Sequence, residues 1–293
     1  MPEDSALVIA TYSRRMRLRL ADGRELDARI KGKRLKPVCG DRVVAEPIAE
    51  ESDWLITAIQ DRRNALSRPN LRGETEILAA NIDLLIVVAA ASPQADWYVV
   101  DRYVCAAEDM NIPAAVVFNK ADIGVSGTEL SEYAKLGYAT VECSAKEGSG
   151  LSELTGLMAD KTAIIVGQSG VGKSSIINAI LGYDAQRTAE ISGKTREGRH
   201  TTVNSMMLRL PEGGTVIDSP GVRDFAPALQ TAPEVIRGFR EIEAAGHDCR
   251  FANCRHMREP GCAVKSAVED GAISERRYQS YRRSLNMLPG RPA

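Results

Sequence analysis

The sequence predicts a multidomain α/β chain in three parts: an OB-like β-barrel, a mainly parallel sheet with flanking helices, and a short helical segment built round a metal. Three observations carry this. The first seventy residues alternate with the two-residue period of half-buried strands and show no convincing helix. From Asn81 onward, short apolar runs alternate with helical stretches, as βαβ units require. Near the C-terminus three cysteines and a histidine fall within the fourteen residues from Cys249 to Cys262. The expected boundaries are 1–68, 69–227 and 228–293.

Taken in order, residues 6–10 are mostly apolar and β-prone. Met16, Leu18 and Leu20 alternate with Arg15, Arg17 and Arg19, and Ala21-Asp22-Gly23-Arg24 supplies a turn before residues 26–30. Gly40-Asp41 opens a run over 42–48, and 54–59 closes the set. Five short strands fit a small closed barrel, of which the OB-fold is the commonest five-stranded form; an SH3-like barrel leaves a similar trace. Downstream, residues 82–90, 114–118, 138–142 and 162–166 read as buried strands. After about Pro227 the chain turns helical, then Cys/His-rich, and ends in an Arg/Tyr-rich helix over 275–288.

Composition bounds the function. With 44% hydrophobic and 26% charged residues the chain is ordinary globular material, which excludes disordered and collagen-like classes. The longest apolar run, Leu84 to Ala91, is far short of the roughly 20 residues a membrane span needs. The acidic start, Met1-Pro2-Glu3-Asp4, lacks the layout of a signal peptide, and six cysteines make no disulfide framework in a chain this long. A reducing cytoplasm and no membrane partner are expected. The formal charge of −1 argues against a nucleic-acid partner only as a sum. Residues 1–70 hold 14 Lys/Arg against 11 Asp/Glu, residues 71–227 hold 13 against 20, and residues 228–293 hold 11 against 8. Two basic ends flank an acidic centre. Arg15, Arg17 and Arg19, the loop Lys31, Lys33, Arg34 and Lys36, and the terminal Arg276, Arg277, Tyr278, Tyr281, Arg282 and Arg283 are the expected RNA-facing residues.

The centre carries a nucleotide motif. Gly167-Gln168-Ser169-Gly170-Val171-Gly172-Lys173-Ser174 fits G-x-x-x-x-G-K-[ST], follows an apolar strand and precedes a helical run at 175–181. Its glycines let backbone N–H groups converge on phosphate oxygens, Lys173 reaches the β/γ-phosphates, and Ser174 ligates Mg²⁺. Upstream, Asn119-Lys120-Ala121-Asp122 matches N-K-x-D. A carboxylate at Asp122 accepts from guanine N1–H and the exocyclic amine, donors that adenine does not offer there. Asn119 helps hold the loop, and the stem of Lys120 can lie over the ring. Ser144-Ala145-Lys146 matches the box whose Ala145 N–H meets guanine O6. Downstream, Asp218-Ser219-Pro220-Gly221 matches D-x-x-G, with Asp218 acting on Mg²⁺ through water and the Gly221 N–H sensing the γ-phosphate. Thr201 or Thr202 is the expected switch threonine. Val222 follows Gly221 where many GTPases place Gln, so His200 is the candidate to align water. The guanine boxes precede the phosphate loop, the reverse of the usual order. A cut elsewhere in the same parallel sheet preserves the pocket, so the domain reads as a circularly permuted P-loop GTPase.

Cys249, Cys254, His256 and Cys262 offer four soft ligands, which fill a tetrahedral Zn²⁺ and leave no place for water. The zinc is therefore expected to be structural; His247 is a rival ligand. These motifs together resemble the ribosome small-subunit-dependent GTPase A family (RsgA or YjeQ) over nearly the whole chain. The resemblance rests on N-K-A-D, G-Q-S-G-V-G-K-S, G-R-H-T-T, I-D-S-P-G and C-x4-C-x-H-x5-C. It implies a cytoplasmic factor that binds the small ribosomal subunit and its rRNA late in maturation, with GTPase stimulated by the subunit and hydrolysis accompanying release. It also implies GTP or GDP with Mg²⁺ at residues 119–122, 144–146 and 167–175 (Ser175 included), and zinc at the four C-terminal ligands. A monomer is expected. The family's long basic tail before the barrel has no counterpart here. A GTP-regulated RNA-binding scaffold with negligible turnover, and a P-loop hydrolase with a non-RNA partner, are the other classes weighed.

Overall fold

A computed structural model describes residues 5–13, 15–32, 34–69, 74–184, 203–218, 227 and 229–288. The barrel is built from β1 (Ser5–Tyr12), β2 (Met16–Leu20), β3 (Glu25–Ile30), β4 (Arg42–Pro47) and β5 (Trp54–Ile59). β1, β2 and β3 pair antiparallel in turn, β3 pairs parallel with β5, β5 antiparallel with β4, and β4 returns to β1, which closes the ring. Alternation in the sequence does what it should. Val8, Met16, Leu18, Val43 and Ile56 point inward to a small core of their own.

A hairpin follows, β6 (Ala65–Pro69) with β7 (Thr75–Ala80), lying across the expected boundary at 68/69. Its strands were not anticipated. Pro69 ends the first of them, and Pro demotes a run as a strand signal.

The central sheet holds β8 (Leu84–Ala90), β9 (Ala114–Asn119), β10 (Ala139–Glu142), β11 (Thr162–Gly167), β12 (Val203–Arg209) and β13 (Thr215–Asp218). The order is β10-β9-β8-β11-β13-β12, parallel except for β12. All seven residues of β8 are buried because both faces are covered. Leu85, Val87 and Ala89 pack beneath α1 (Trp97–Asp109) and α2 (Glu129–Lys135). Leu84, Ile86 and Val88 pack beneath α3 (Leu151–Met158) and α4 (Lys173–Leu181). β12 has no counterpart among the strands expected from the sequence; its far edge pairs with β1, Ala10 opposite Met206 and Thr11 opposite Ser205. One edge of β1 is thus shared: β4 takes residues 5–7 and β12 takes residues 10–12, so barrel and central sheet form one continuous sheet.

The C-terminal part comprises α5 (Ala232–Arg237), α6 (Arg240–Gly246), α7 (Ala263–Glu269) and α8 (Glu275–Asn286). Val235, Phe239, Ile242, Val264, Tyr281 and Leu285 form its core, which Cys105 of α1 also enters. Contact there is close: a Cβ on Gly238 would lie 2.6 Å from the Cys105 Cα. No helix among the described residues is long and apolar enough to cross a membrane.

Candidate functional site

The loops at the C-terminal ends of β9, β10 and β11 meet at one edge of the sheet, and Asn119 joins all three. It closes β9, is 1% exposed, donates from Nδ2 to the Val171 carbonyl (2.9 Å) and accepts at Oδ1 from the Ala145 N–H (3.1 Å). The phosphate loop needs glycine for this fit. Gly167 at φ +134° and Gly172 at φ +95° lie where a Cβ would collide with the Val88 carbonyl and the Asn119 amide respectively. α4 begins directly at Lys173, so its N-terminal N–H groups face the loop. The Lys173 ammonium is buried and donates to the carbonyls of Gly167 (2.6 Å) and Gln168 (2.7 Å), folded back within the loop.

Lys120 adopts a left-handed backbone, φ +62°, which a non-glycine residue takes at a cost of about 1–3 kcal/mol. That turn sends its ammonium across to the carbonyls of Gly170 (2.8 Å) and Ser92, so its stem borders the space between base loop and phosphate loop. Asp122 receives a hydrogen bond from the Ser144 hydroxyl (2.7 Å), and the Lys146 ammonium stands 3.8 Å away. The Ser144 bond first, and the neighbouring cations after it, hold the Asp122 carboxyl below its usual range. An ionised acceptor is therefore fixed against Ser144, which suits a ring carrying adjacent N–H donors, while the Ala145 N–H is here taken by Asn119 Oδ1 rather than left for a base carbonyl. Asp218, 7% exposed, ends β13. Gly167, Gln168, Ser169, Gly170, Val171, Gly172, Ser174 and Ser175 all lie on the loop and the first turn of α4. His200, Thr201, Thr202, Gly221 and Val222 lie outside the described residues.

Sequence motifs missed the loop after β8. Ser92 accepts from Lys120, and the Asp96 N–H meets Gln168 Oε1 (3.4 Å), so residues 92–96 brace the phosphate loop. No motif marks them, because both contacts use backbone atoms that any residue type carries.

The second cluster is metal-binding in character. Ligand atoms of Cys249, Cys254, His256 and Cys262 all lie within 4.8 Å of one another. Cys249 and Cys262 sulfurs are 3.9 Å apart, and each is 3.5 Å from His256 Nδ1. Tetrahedral coordination with Zn–S of about 2.3 Å sets sulfur–sulfur separations near ~3.8 Å, so the donor set fits. The cluster could hold a metal ion; exposed His247 is not part of it.

Several expected RNA-facing residues are committed elsewhere. Arg277 is 1% exposed, bound to Asp101 Oδ1 (2.7 Å), Glu241 Oε1 (2.7 Å) and the Gly238 carbonyl. Arg276 binds Asp101 (2.9 Å) and Glu132 (2.6 Å). Tyr278 and Tyr281 are buried and donate to the carbonyls of His256 and Arg255, which ties α8 to the metal loop. The Arg282 guanidinium stands over the Tyr278 ring and that of Arg283 over Tyr98. In the barrel, Arg17 pairs with Asp27 (2.9 Å) and Arg19 with Glu25 (2.9 Å), both acids on the neighbouring β3; Arg15 stands 3.7 Å from Asp53. Lys31, Arg34 and Lys36 remain exposed; Lys33 is outside the described residues.

A phosphate loop at the middle of a parallel sheet, with its base-reading loops earlier in the chain, defines a circularly permuted P-loop GTPase. The family model described as RsgA GTPase matches residues 59–227. The chain belongs to the RsgA GTPase family, and it is a GTP hydrolase. Relatives named small ribosomal subunit biogenesis GTPase RsgA are 36% identical in Shewanella oneidensis (98% of this chain, 84% of that protein) and 38% identical in Marinobacter nauticus (100% and 86%). The crystal structure of YjeQ from Thermotoga maritima is similar over 99% of both chains, with a TM-score of 0.73 and 28% identity. YloQ, described as a circularly permuted GTPase, shares the fold at 23% identity and a TM-score of 0.72 over 99% of this chain and 96% of its own.

Proposed function

We propose that this GTPase binds the small ribosomal subunit and assists its late maturation, its turnover stimulated by the subunit and hydrolysis coupled to release. The observation that carries the reading is the braced pocket, Asp122 held by Ser144 and Asn119 joining three loops, flanked by a barrel and a metal-binding segment in a family whose relatives carry that name. In this reading Asn119, Lys120, Ala121, Asp122, Ser144, Ala145 and Lys146 take the guanine. Residues 167–175 take the phosphates, with Lys173 swinging from its carbonyls to the β/γ-phosphates. Ser174 and Asp218 serve Mg²⁺, Gly221 and one of Thr201 or Thr202 sense the γ-phosphate, and His200 aligns the water. The three parts are those expected at 1–68, 69–227 and 228–293, with the hairpin β6–β7 straddling the first boundary, and the barrel contacts rRNA through its basic loop of Lys31, Lys33, Arg34 and Lys36. Free buried thiols at Cys39, Cys105 and Cys143 suit a cytoplasmic protein; we take it to act as a monomer.

GTP turnover measured with purified small subunits, large subunits or neither is the direct test. Small subunits alone should accelerate it, and the effect should weaken steeply as salt rises; equal rates in all three overturn the reading. His200→Ala should lose about a hundredfold or more of the stimulated rate while GTP affinity stays put; unchanged stimulated turnover removes His200 from the chemistry. Val222 in the usual place of Gln favours a scaffold with negligible turnover as the second reading, and single-turnover hydrolysis on the subunit separates the two.

The four-ligand cluster is assigned to structural zinc, with all positions filled by protein. Such sites contribute on the order of 10 kcal/mol to folding of small modules. Here the cluster sits on an apolar core, so chelation should lower and broaden the melting of α7 and α8 while leaving the central sheet folded. Metal analysis finding no zinc, with unchanged melting after chelation, ends the assignment.

A further inference from the structure

In the loop after β9 the usual order of burial is inverted. Ile123 and Val125 are 61% and 85% exposed, whereas the Ser126 that follows them is 8% exposed. An apolar group gains by leaving water, and a hydroxyl loses by it unless it finds a partner. A loop arranged this way is held by something other than its apolar side chains. From Gly124 to Gly127 no backbone group is hydrogen-bonded to another among the described residues. Gly124 is closely fitted, since a Cβ there would lie 2.8 Å from that of Ala91. The polar anchor is the Ser126 hydroxyl, which donates to the Glu142 carboxylate.

Glu142 ends β10 opposite Phe118 and stands two residues ahead of Ser144. Ser144 in turn donates to Asp122 Oδ1 (2.7 Å). Two hydroxyl–carboxylate bonds thus lace segment 122–126 to segment 142–144 with their roles exchanged: the loop accepts at Asp122 and donates at Ser126. Hydrogen bonds to a carboxylate are among the stronger ones in proteins. The near end of the loop has further ties, the Ala121 N–H to the Cys143 carbonyl (3.1 Å) and the Ile123 N–H to the Lys120 carbonyl (3.0 Å). Among the described residues, the far end has the Ser126 bond.

We infer that Ser126 and Glu142 are positioning residues for base recognition: they hold the far end of the 120–126 loop and so keep the Asp122 carboxylate aimed at a purine with an N1–H and an exocyclic 2-amine. This rests on the assignment of guanine to Asp122 and names what fixes that carboxylate from behind. Ser144 holds it at one oxygen, about which the loop can pivot; the clasp at Ser126 supplies the second fixed point. A carboxylate free to pivot still meets one donor and misses the other. Loss of the clasp should therefore cost a two-donor base more than a one-donor base.

The test measures dissociation constants for GTP and for ITP, whose base keeps the N1–H and lacks the 2-amine, on the full-length, metal-loaded protein. Ser126→Ala should weaken GTP about tenfold and ITP only about threefold, so that the preference for guanine narrows. Glu142→Ala should match it, and the double variant should be no worse than either single one, as expected for partners in one bond. Ser126→Thr, which restores the hydroxyl, should return the parent's preference. Single-turnover hydrolysis at saturating GTP should keep its rate throughout, which places the effect in binding rather than in the chemical step. Melting is recorded for each variant. If Ser126→Ala unfolds, Glu142→Gln keeps an acceptor without the charge and carries the same comparison with a smaller loss. Equal weakening of the two nucleotides overturns the inference, because a clasp that only steadies the fold removes competent protein without changing the preference. Affinities within about twofold of the parent overturn it as well. If the unmodified protein itself binds GTP no better than ITP, the assignment of guanine to Asp122 fails with it.

Discussion

Asp122→Asn should lose GTP by about a hundred- to ten-thousandfold and gain xanthosine triphosphate, measured by competition for nucleotide binding. Two charge-assisted hydrogen bonds of roughly 1.5–3 kcal/mol each are at stake. An amide places an N–H where one guanine donor must sit, whereas xanthine offers a carbonyl there. GTP bound as tightly as before would remove Asp122 from base recognition. The pH dependence follows from the Ser144 bond, which holds the carboxyl below its usual range. With the folded value depressed, the ionised acceptor persists as pH drops through the ordinary carboxylate range and is lost only below it. Ser144→Ala should move the acid limb of GTP binding to higher pH.

The second large effect concerns stability. Asp101 is fully buried on α1, where its carboxylate accepts from Arg276, Arg277 and the Tyr133 hydroxyl. Asp101→Ala leaves two guanidinium groups and a phenol without that partner in an interior that offers little water. Removing one partner from a buried ionic cluster costs about 3–5 kcal/mol. Urea unfolding should show that loss, and hydrogen exchange should show α8 loosening from α1 ahead of the sheet. Arg277 should be harder to replace than Arg276, since it is the more deeply buried and also holds Glu241 and the Gly238 carbonyl. A melting curve within about 0.5 kcal/mol of the parent would show that the network does not tie α8 down.

These two sites differ in how far they could be read from sequence. Asn119, Asp122, Ser144 and the phosphate loop are short local patterns at strand ends, and apolar runs such as 84–90 place those strands. The barrel was equally legible, since Met16, Leu18 and Leu20 keep strict alternation. The Asp101 cluster was not legible as a whole, because Arg277 meets a carboxylate far back in the chain. A signal was present: an acid three residues from Tyr98 and from Val104 sits on the buried face of α1. The same distance effect hid the pairing of Arg17 and Arg19 with β3, so an arginine run looked like a free cationic face. β12 escaped notice because a polar stretch precedes it and its pairing with β1 lies at the other end of the chain.

That pairing bears on how the protein is made. Strands β2 to β5 emerge soon after β1 and can close the barrel, but residues 10–12 wait for residues 203–206 before their outer edge is covered. Synthesis runs from the N-terminus, so a finished barrel exposes an unpaired strand edge until about two-thirds of the chain has appeared. Products stopped before β12 should be the ones that associate with each other, while products stopped after β13 should stay dispersed. The strand that completes the central sheet is also the cap that makes the first module safe to leave in solution.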